Sequence, residues 1–361
     1  MKNLTEEQLY AKLQSLSSSI SDLDEEAMAQ IQVRLDSLTK PQGSLGQLEH
    51  VAKQLGGIQR TAHPQVLKKA VLLMAGDHGV VEEGVSAFPQ EVTPQMVYNI
   101  INGGAAINVL ARQAQADVIC TDVGVAFPLE GDCLHKRVAD GTRNMTKGPA
   151  MTRLEALQAL FVGAEVAEKK IEEGYNLLAT GDLGIGNTTP SSAIVALLTN
   201  SPVESVVGRG TGIDDAGLVR KQQVIEKAIE VNQPDVTDGL DVLMKVGGLE
   251  IAAIAGSIIQ AAASHVPVVI DGFISTAGAL IAAKLAPKSL AYMIPSHGSV
   301  EIGHRKALAA LKLDPVLNLN MRLGEGTGAA LTFQLVEASL HILYEMATFG
   351  DAGVSEKSNE N

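Results

Sequence analysis

Tryptophan is absent, and aromatic residues make up only 3% of the 361 residues. A packed interior must therefore be assembled from Ala, Val, Ile and Leu. Cysteine is scarce as well: Cys120 and Cys133 are the whole complement, too few for the disulfide framework of a small secreted scaffold. Positive charge is in deficit, with 28 Lys plus Arg against 41 Asp plus Glu and a formal charge of −13. Such a surface repels a phosphate backbone, which excludes nucleic acid as the expected partner. The opening MKNLTEEQLY contains no apolar export segment, so a reducing cytoplasm is the expected location and no membrane partner is expected.

One stretch imitates a membrane span. Ile251 to Ile270 runs twenty residues without Lys, Arg, Asp or Glu. Ser257, Gln260, Ser264, His265 and Pro267 interrupt it, and an Ala-rich first half gives way to VPVVID. A buried helix followed by a buried strand is the expected reading.

What the chain does have is 46% apolar residues, 19% charged residues and 35 glycines, the texture of an α/β enzyme. The first sixty residues read as helices. Thr5 with Gln8, Asp22 with Glu25 and Ser44 with Gln47 each have the spacing of a capping box, and Pro41 and Gly43 turn the chain between the last two. From residue 69 the pattern changes. Apolar runs at 70–75, 116–120, 176–179, 203–207, 266–270 and 290–294 alternate with longer helical stretches, one of them opened by Thr152 and Glu155 and stopped at Gly174. Six such runs predict a doubly covered, Rossmann-like six-stranded parallel sheet with flanking helices.

The expected division places an α/β domain at 60–298 and a small helical domain built from 1–59 together with 299–349. A polar tail, 350–361, is expected to fray. In such a sheet the ligand lies beyond the carboxyl ends of the strands, which directs attention to GDHG, TDVG, GDLGIGNTT, DGF and PSHGS.

The sharpest of these loops is GDLGIGNTTPSSA, residues 181–193, a glycine-rich turn feeding a helix start. Such a turn gathers backbone N–H groups and favours an anion. It lies one substitution from a nucleotide-binding P-loop, and VVID at 268–271 resembles the partner strand of such a site. Asn187 stands where the P-loop lysine would be, so a single phosphate fits better than a nucleoside triphosphate. A second glycine cluster, VVGRGTGID at 206–214, is compatible with wrapping the same ligand or with simple turn chemistry, and Lys221 is the nearest following cation.

Asp77, His78, His297 and His304 fall in or near strand-end loops without the spacing of a metal site, so no metal is expected. No GxSxG follows a strand, which removes the serine-hydrolase reading. In MRLGEGTGAA, residues 321–330, Glu325 stands between two glycines at the mouth of a helix. It reads either as a general base reaching into a cleft or as a first-turn glutamate complementing the helix dipole.

Taken together, LTKPQGSLGQLE, AGDHGV, NGGAAINVLAR, TDVGV, KGPAMTRLEA, GDLGIGNTTPSSA, PVVIDGF, IPSH and MRLGEGTGAAL resemble the nicotinate-nucleotide dimethylbenzimidazole phosphoribosyltransferase family of cobalamin assembly. The resemblance runs in order from about residue 36 to 340. It implies transfer of the phosphoribosyl group of nicotinate mononucleotide to 5,6-dimethylbenzimidazole by a homodimer that uses no cofactor, with Glu325 as general base. It further implies that Leu183 and Leu323 wall the base pocket, with Phe88 and either Gln95 or Met96 at its rim. Gly184, Asn187, Thr188 and Lys221 would hold ribose and phosphate, and Asp271 and Gly272 would close the cavity. One departure stands out: the family commonly writes GELG or GEMG, whereas this chain carries the shorter carboxylate of Asp182. The competing readings are a P-loop-like ATPase or kinase and a nucleotide-binding regulator without catalysis.

Overall fold

The computed structural model describes residues 4–210 and 212–355. Six parallel strands form one sheet: β1 (Lys69–Gly76), β2 (Asp117–Gly124), β3 (Leu134–His135), β4 (Leu177–Leu183), β5 (Val268–Ile270) and β6 (Met293–Pro295). Their order is β3-β2-β1-β4-β5-β6, that of a doubly wound sheet whose direction of winding reverses between β1 and β4.

Five strands lie on expected runs. The sixth does not. Val203–Ser205 forms a single 3₁₀ turn, with Val206 and Val207 buried beyond it, and the remaining place in the sheet is taken by the two residues of β3. A short apolar run is buried in either conformation, so periodicity cannot separate strand from turn there.

Three helices precede the sheet: α1 (Glu6–Ser19), α2 (Glu25–Ser37) and α3 (Gln47–Gln59). Next, α4 (Val92–Ile101) and α5 (Ala106–Gln113) join β1 to β2, and α6 (Arg153–Glu172) leads into β4. The connection from β4 to β5 runs through α7 (Thr188–Leu198), α8 (Asp215–Asn232), α9 (Gly239–Val246) and α10 (Leu249–Ala263). Then α11 (Phe273–Leu285) joins β5 to β6, and α12 (Ile302–Leu311) and α13 (Thr327–Glu345) follow.

Thr5 and Thr152 cap α1 and α6 through the expected boxes. The other two expected starts shift: Asp24, not Asp22, caps α2 by accepting from Ala27 N–H, and α3 begins after Gly46 rather than at Ser44. Of the expected tail, Phe349–Ala352 make one turn capped by Thr348, and residues 356–361 lie outside the described residues.

Successive residues of β1 point to opposite faces, and each face is covered by its own core. Ala70, Leu72 and Met74 meet residues of α1, α6, α7, α10 and α11. Val71, Leu73 and Ala75 meet α2, α3, α5 and α13. The charge-free stretch 251–270 resolves into the buried helix α10 and strand β5, and no helix of the described residues is long and apolar enough to cross a membrane.

The tightest helix pair is α6 against α10. A Cβ on Gly163 would lie 1.7 Å from the carbonyl oxygen of Ala253, and one on Gly256 would lie 1.8 Å from that of Leu160. The two glycines let the backbones touch, which an interior poor in aromatics needs in order to exclude voids. Gly256→Val is accordingly expected to destabilise the protein by about 2–3 kcal/mol through overpacking. Urea unfolding checks this, and an unchanged midpoint would contradict the close approach.

Candidate active site

Beyond the carboxyl ends of β4, β5 and β6, and against the segment that follows β1, lies a cavity of about 460 Å³. Phe88, Met96, Asp182, Leu183, Gly184, Asn187, Thr188, Gly272, Leu323 and Glu325 all line it, so most residues expected at the site converge. Three do not reach the wall. Gln95 is exposed on α4, Asp271 lies buried behind the wall, and Lys221 sits one layer back. A larger concavity beside β3, about 800 Å³, contains Arg137 and Lys136. Their charges are already met by Asp122, Asp140 and Glu165.

Glu325 occupies an unusual backbone. Gly324, Glu325 and Gly326 have φ of 85°, 62° and 88°, three successive residues in a region that L side chains avoid. The turn is held from two sides. Glu325 N–H donates to Asp182 O at 3.3 Å. The Asp271 carboxylate accepts from Gly326 N–H at 3.1 Å and from Ala329 N–H at 3.0 Å. Asp271 therefore caps the first turn of α13 from outside the helix. The Glu325 side chain is buried, with Oε2 accepting from Ile107 N–H at the start of α5, 3.4 Å away. Burial raises its pKa above the ordinary glutamate value; the Ile107 N–H opposes this and Asp271 adds to it.

Asp182 is the second carboxylate on the wall. Its Oδ2 accepts from Asn187 Nδ2 at 3.1 Å, while Oδ1 has no partner among the described residues. Burial, followed by the carboxylates of Asp271, Glu250 and Glu325, pushes its pKa well above the usual range. Asp271 itself is raised to about 6 by burial, against the four backbone N–H groups that favour its charged form. Three neighbouring acids thus resist simultaneous ionisation.

The glycine-rich loop supplies fewer free donors than its sequence implied. Ile185 N–H goes to Thr93 Oγ1, Asn187 N–H to Gly184 O and Thr189 N–H to Gly186 O. The cation arrives from elsewhere: Lys221 of α8, itself 1% exposed, donates from Nζ to Thr188 Oγ1 at 2.7 Å and to Gly208 O at 3.4 Å. Burial lowers its pKa to about 8, with Glu301 acting in the opposite sense. The second glycine cluster places Gly210 on the same wall.

Sequence reasoning missed Glu301 and Arg322 as wall residues. Glu301 is 8% exposed with Oε2 unpartnered among the described residues, and Arg322 donates to Gly210 O at 3.1 Å. No local pattern marks either. His297 also lines the cavity, with Nδ1 against Ser296 Oγ, whereas His304 is spent on Thr276 and on Ser299 N–H and burial lowers it to about 3. His78 pairs with Glu250 at 2.8 Å.

Comparison with known proteins places this geometry. A family model described as a phosphoribosyltransferase matches residues 20–354. The nicotinate-nucleotide–dimethylbenzimidazole phosphoribosyltransferase of Desulforamulus reducens is 56% identical over 342 residues, covering 94% of this chain and 97% of that one. The enzyme of the same name from Geotalea uraniireducens is 55% identical over 346 residues, covering 95% and 98%. The crystal structure of the phosphoribosyltransferase of that name from Thermus thermophilus superposes with a TM-score of 0.88 at 47% identity, covering 93% of this chain and all of that one. The chain belongs to the nicotinate-nucleotide–dimethylbenzimidazole phosphoribosyltransferase family.

Proposed function

We propose that the protein transfers the phosphoribosyl group of nicotinate mononucleotide to 5,6-dimethylbenzimidazole, releasing nicotinate and forming α-ribazole 5′-phosphate for the lower ligand of cobalamin. One juxtaposition supports this reading above the others. A buried carboxylate on a constrained turn, Glu325, shares a cavity with Thr188, whose hydroxyl carries the Lys221 ammonium. One end of the cavity suits a base abstracting a proton, and the other suits a single phosphate.

The chemistry follows from those two ends. Thr188 and Asn187, with the Lys221 ammonium behind Thr188, hold the phosphate and ribose, so that the anomeric carbon faces the incoming base. Glu325 accepts the proton from one azole nitrogen while the other nitrogen attacks C1 of the ribose. The C1–N bond to nicotinate breaks with its electron pair moving onto the pyridinium nitrogen, so the leaving group needs no proton. Attack opposite nicotinate converts the β-linked donor to an α-linked product. The Glu325 carboxylate, ionised until it takes the proton, favours the positive charge that develops on the sugar. Leu183, Leu323, Phe88 and Met96 offer the apolar surface for a flat heterocycle. An apolar wall discriminates one methyl group by only about 1–3 kcal/mol, so related benzimidazoles also serve as acceptors.

The phosphate-transfer alternative asks for a lysine in the glycine loop. Here the lysine comes from α8 and the loop carries Asn187, an arrangement for one phosphate. We further propose a cytoplasmic homodimer. Phe88 and Leu323 are 50% and 57% exposed at the cavity mouth, where a second subunit would cover them.

Glu325→Gln is expected to fold normally and lose about 10²–10⁴ in turnover, read as nicotinate release by chromatography. Near wild-type release would remove Glu325 from its role. Because the raised Glu325 must be ionised to act, turnover falls as pH drops, with an acid limb above the 4.5 of an ordinary glutamate. Lys221 is charged below about 8, so the donor KM should rise as pH climbs past that value. Lys221→Met should raise the donor KM throughout and flatten that rise.

A further inference from the structure

The NGGAAINVLAR segment, residues 102–112, has no role in the mechanism above, yet it forms the element that touches Glu325. Gly103 is left-handed, with φ of 77°, and turns the chain out of α4. Asn108 then fixes the start of α5 from within: Oδ1 accepts from Ala105 N–H at 3.1 Å and Nδ2 donates to Ile100 O at 3.0 Å. Ile107 is fully buried and α5 packs against α13, so the first turn of α5 is pinned against the helix that carries Glu325. One donor of that turn, Ile107 N–H, points at Glu325 Oε2. No hydrogen bond occupies Oε1 among the described residues, and Glu325 lines the cavity.

We propose that the first turn of α5 positions Glu325: Ile107 N–H holds one carboxylate oxygen, Asn108 holds that turn in place, and the other oxygen is left to take the azole proton. This rests on Glu325 being the base. The donor sits at the positive end of a helix and favours the ionised carboxylate. It counters what surrounds Glu325 on its other sides. Asp182 faces it from β4 and Asp271 from the end of β5, both acidic. His297 and Glu301 line the same cavity from the loop after β6, and Arg322 lies three residues upstream in its own loop, turned to Gly210 O. Lys221 of α8 is engaged with Thr188. The only charged side chain of α5, Arg112, is directed to Gly103 O, so α5 acts on Glu325 through its backbone.

A proline is tolerated in the first turn of a helix, where its fixed φ is helical and its missing N–H breaks no intrahelical hydrogen bond. Ile107→Pro therefore deletes the donor, and Ile107→Val controls for the lost side-chain volume. The readout is the pH profile of kcat/KM, followed as nicotinate release from nicotinate mononucleotide and dimethylbenzimidazole. The acid limb of Ile107→Pro is expected to move up by about one pH unit relative to Ile107→Val, with kcat reduced at neutral pH and donor KM unchanged. A purely structural role would lower activity at every pH and leave the limb in place, and coincident limbs overturn the proposal.

Should circular dichroism show Ile107→Pro unfolded, Asn108→Leu replaces it. Loosening the same turn should move the limb in the same direction, and an unmoved limb again overturns the proposal. Glu325→Gln in the same assay separates the two readings. If it is inactive while the limb stays put, only the α5 proposal falls; if it is active, the base assignment falls and takes the α5 proposal with it.

Discussion

The Asp271 carboxylate, accepting the N–H groups of Gly326 and Ala329, is the contact on which the site is built. A non-glycine residue in the left-handed region costs about 1–2 kcal/mol, and such a conformation persists only where its surroundings over-determine it. Here Asp271 grips the turn from the end of β5 while Asp182 O receives Glu325 N–H from the end of β4. Two strands thus fix one loop, and the position of Glu325 is set by the sheet rather than by the loop itself.

That arrangement crowds acids. Glu325, Asp182 and Asp271 are all raised by burial, and each ionised neighbour raises Asp182 further. The cost is contained because Asp271 is charge-stabilised by backbone N–H groups. The positive counterpart is displaced to the far end, where Lys221 is desolvated and held by Thr188. The cavity is acidic around Glu325 and Asp182, and at the other end the Lys221 ammonium stands behind Thr188 with Glu301 nearby, an arrangement that suits a substrate with a phosphate at one end and a developing cation at C1.

Much of this was legible in the residues. The strands β1, β2, β4, β5 and β6 announce themselves because a doubly covered strand is a continuous apolar run. The glycines around Glu325 betray a turn that only glycine tolerates on both flanks. Other parts were opaque for physical reasons. β3 is two residues, one of them His135, and carries no pattern. Val206 and Val207 are buried without joining the sheet. Lys221 looks like any helical lysine until the fold brings it to Thr188, 33 residues earlier in the chain. Asp271 was expected at the cavity wall and is instead a cap behind it, because its role depends on an α13 that begins 56 residues later. Glu301 and Arg322 reach the site through a loop geometry that spacing does not encode.

The reversal in strand order between β1 and β4 has an architectural consequence. The chain leaving β1 crosses one side of the sheet through α5, and the chain leaving β4 crosses the other through α7 to α10. The two connections diverge at their origin, so an opening exists there by virtue of winding alone, before any side chain is chosen. Substrate preference can then drift through the rim residues while the void that receives the substrate is inherited from the path of the backbone.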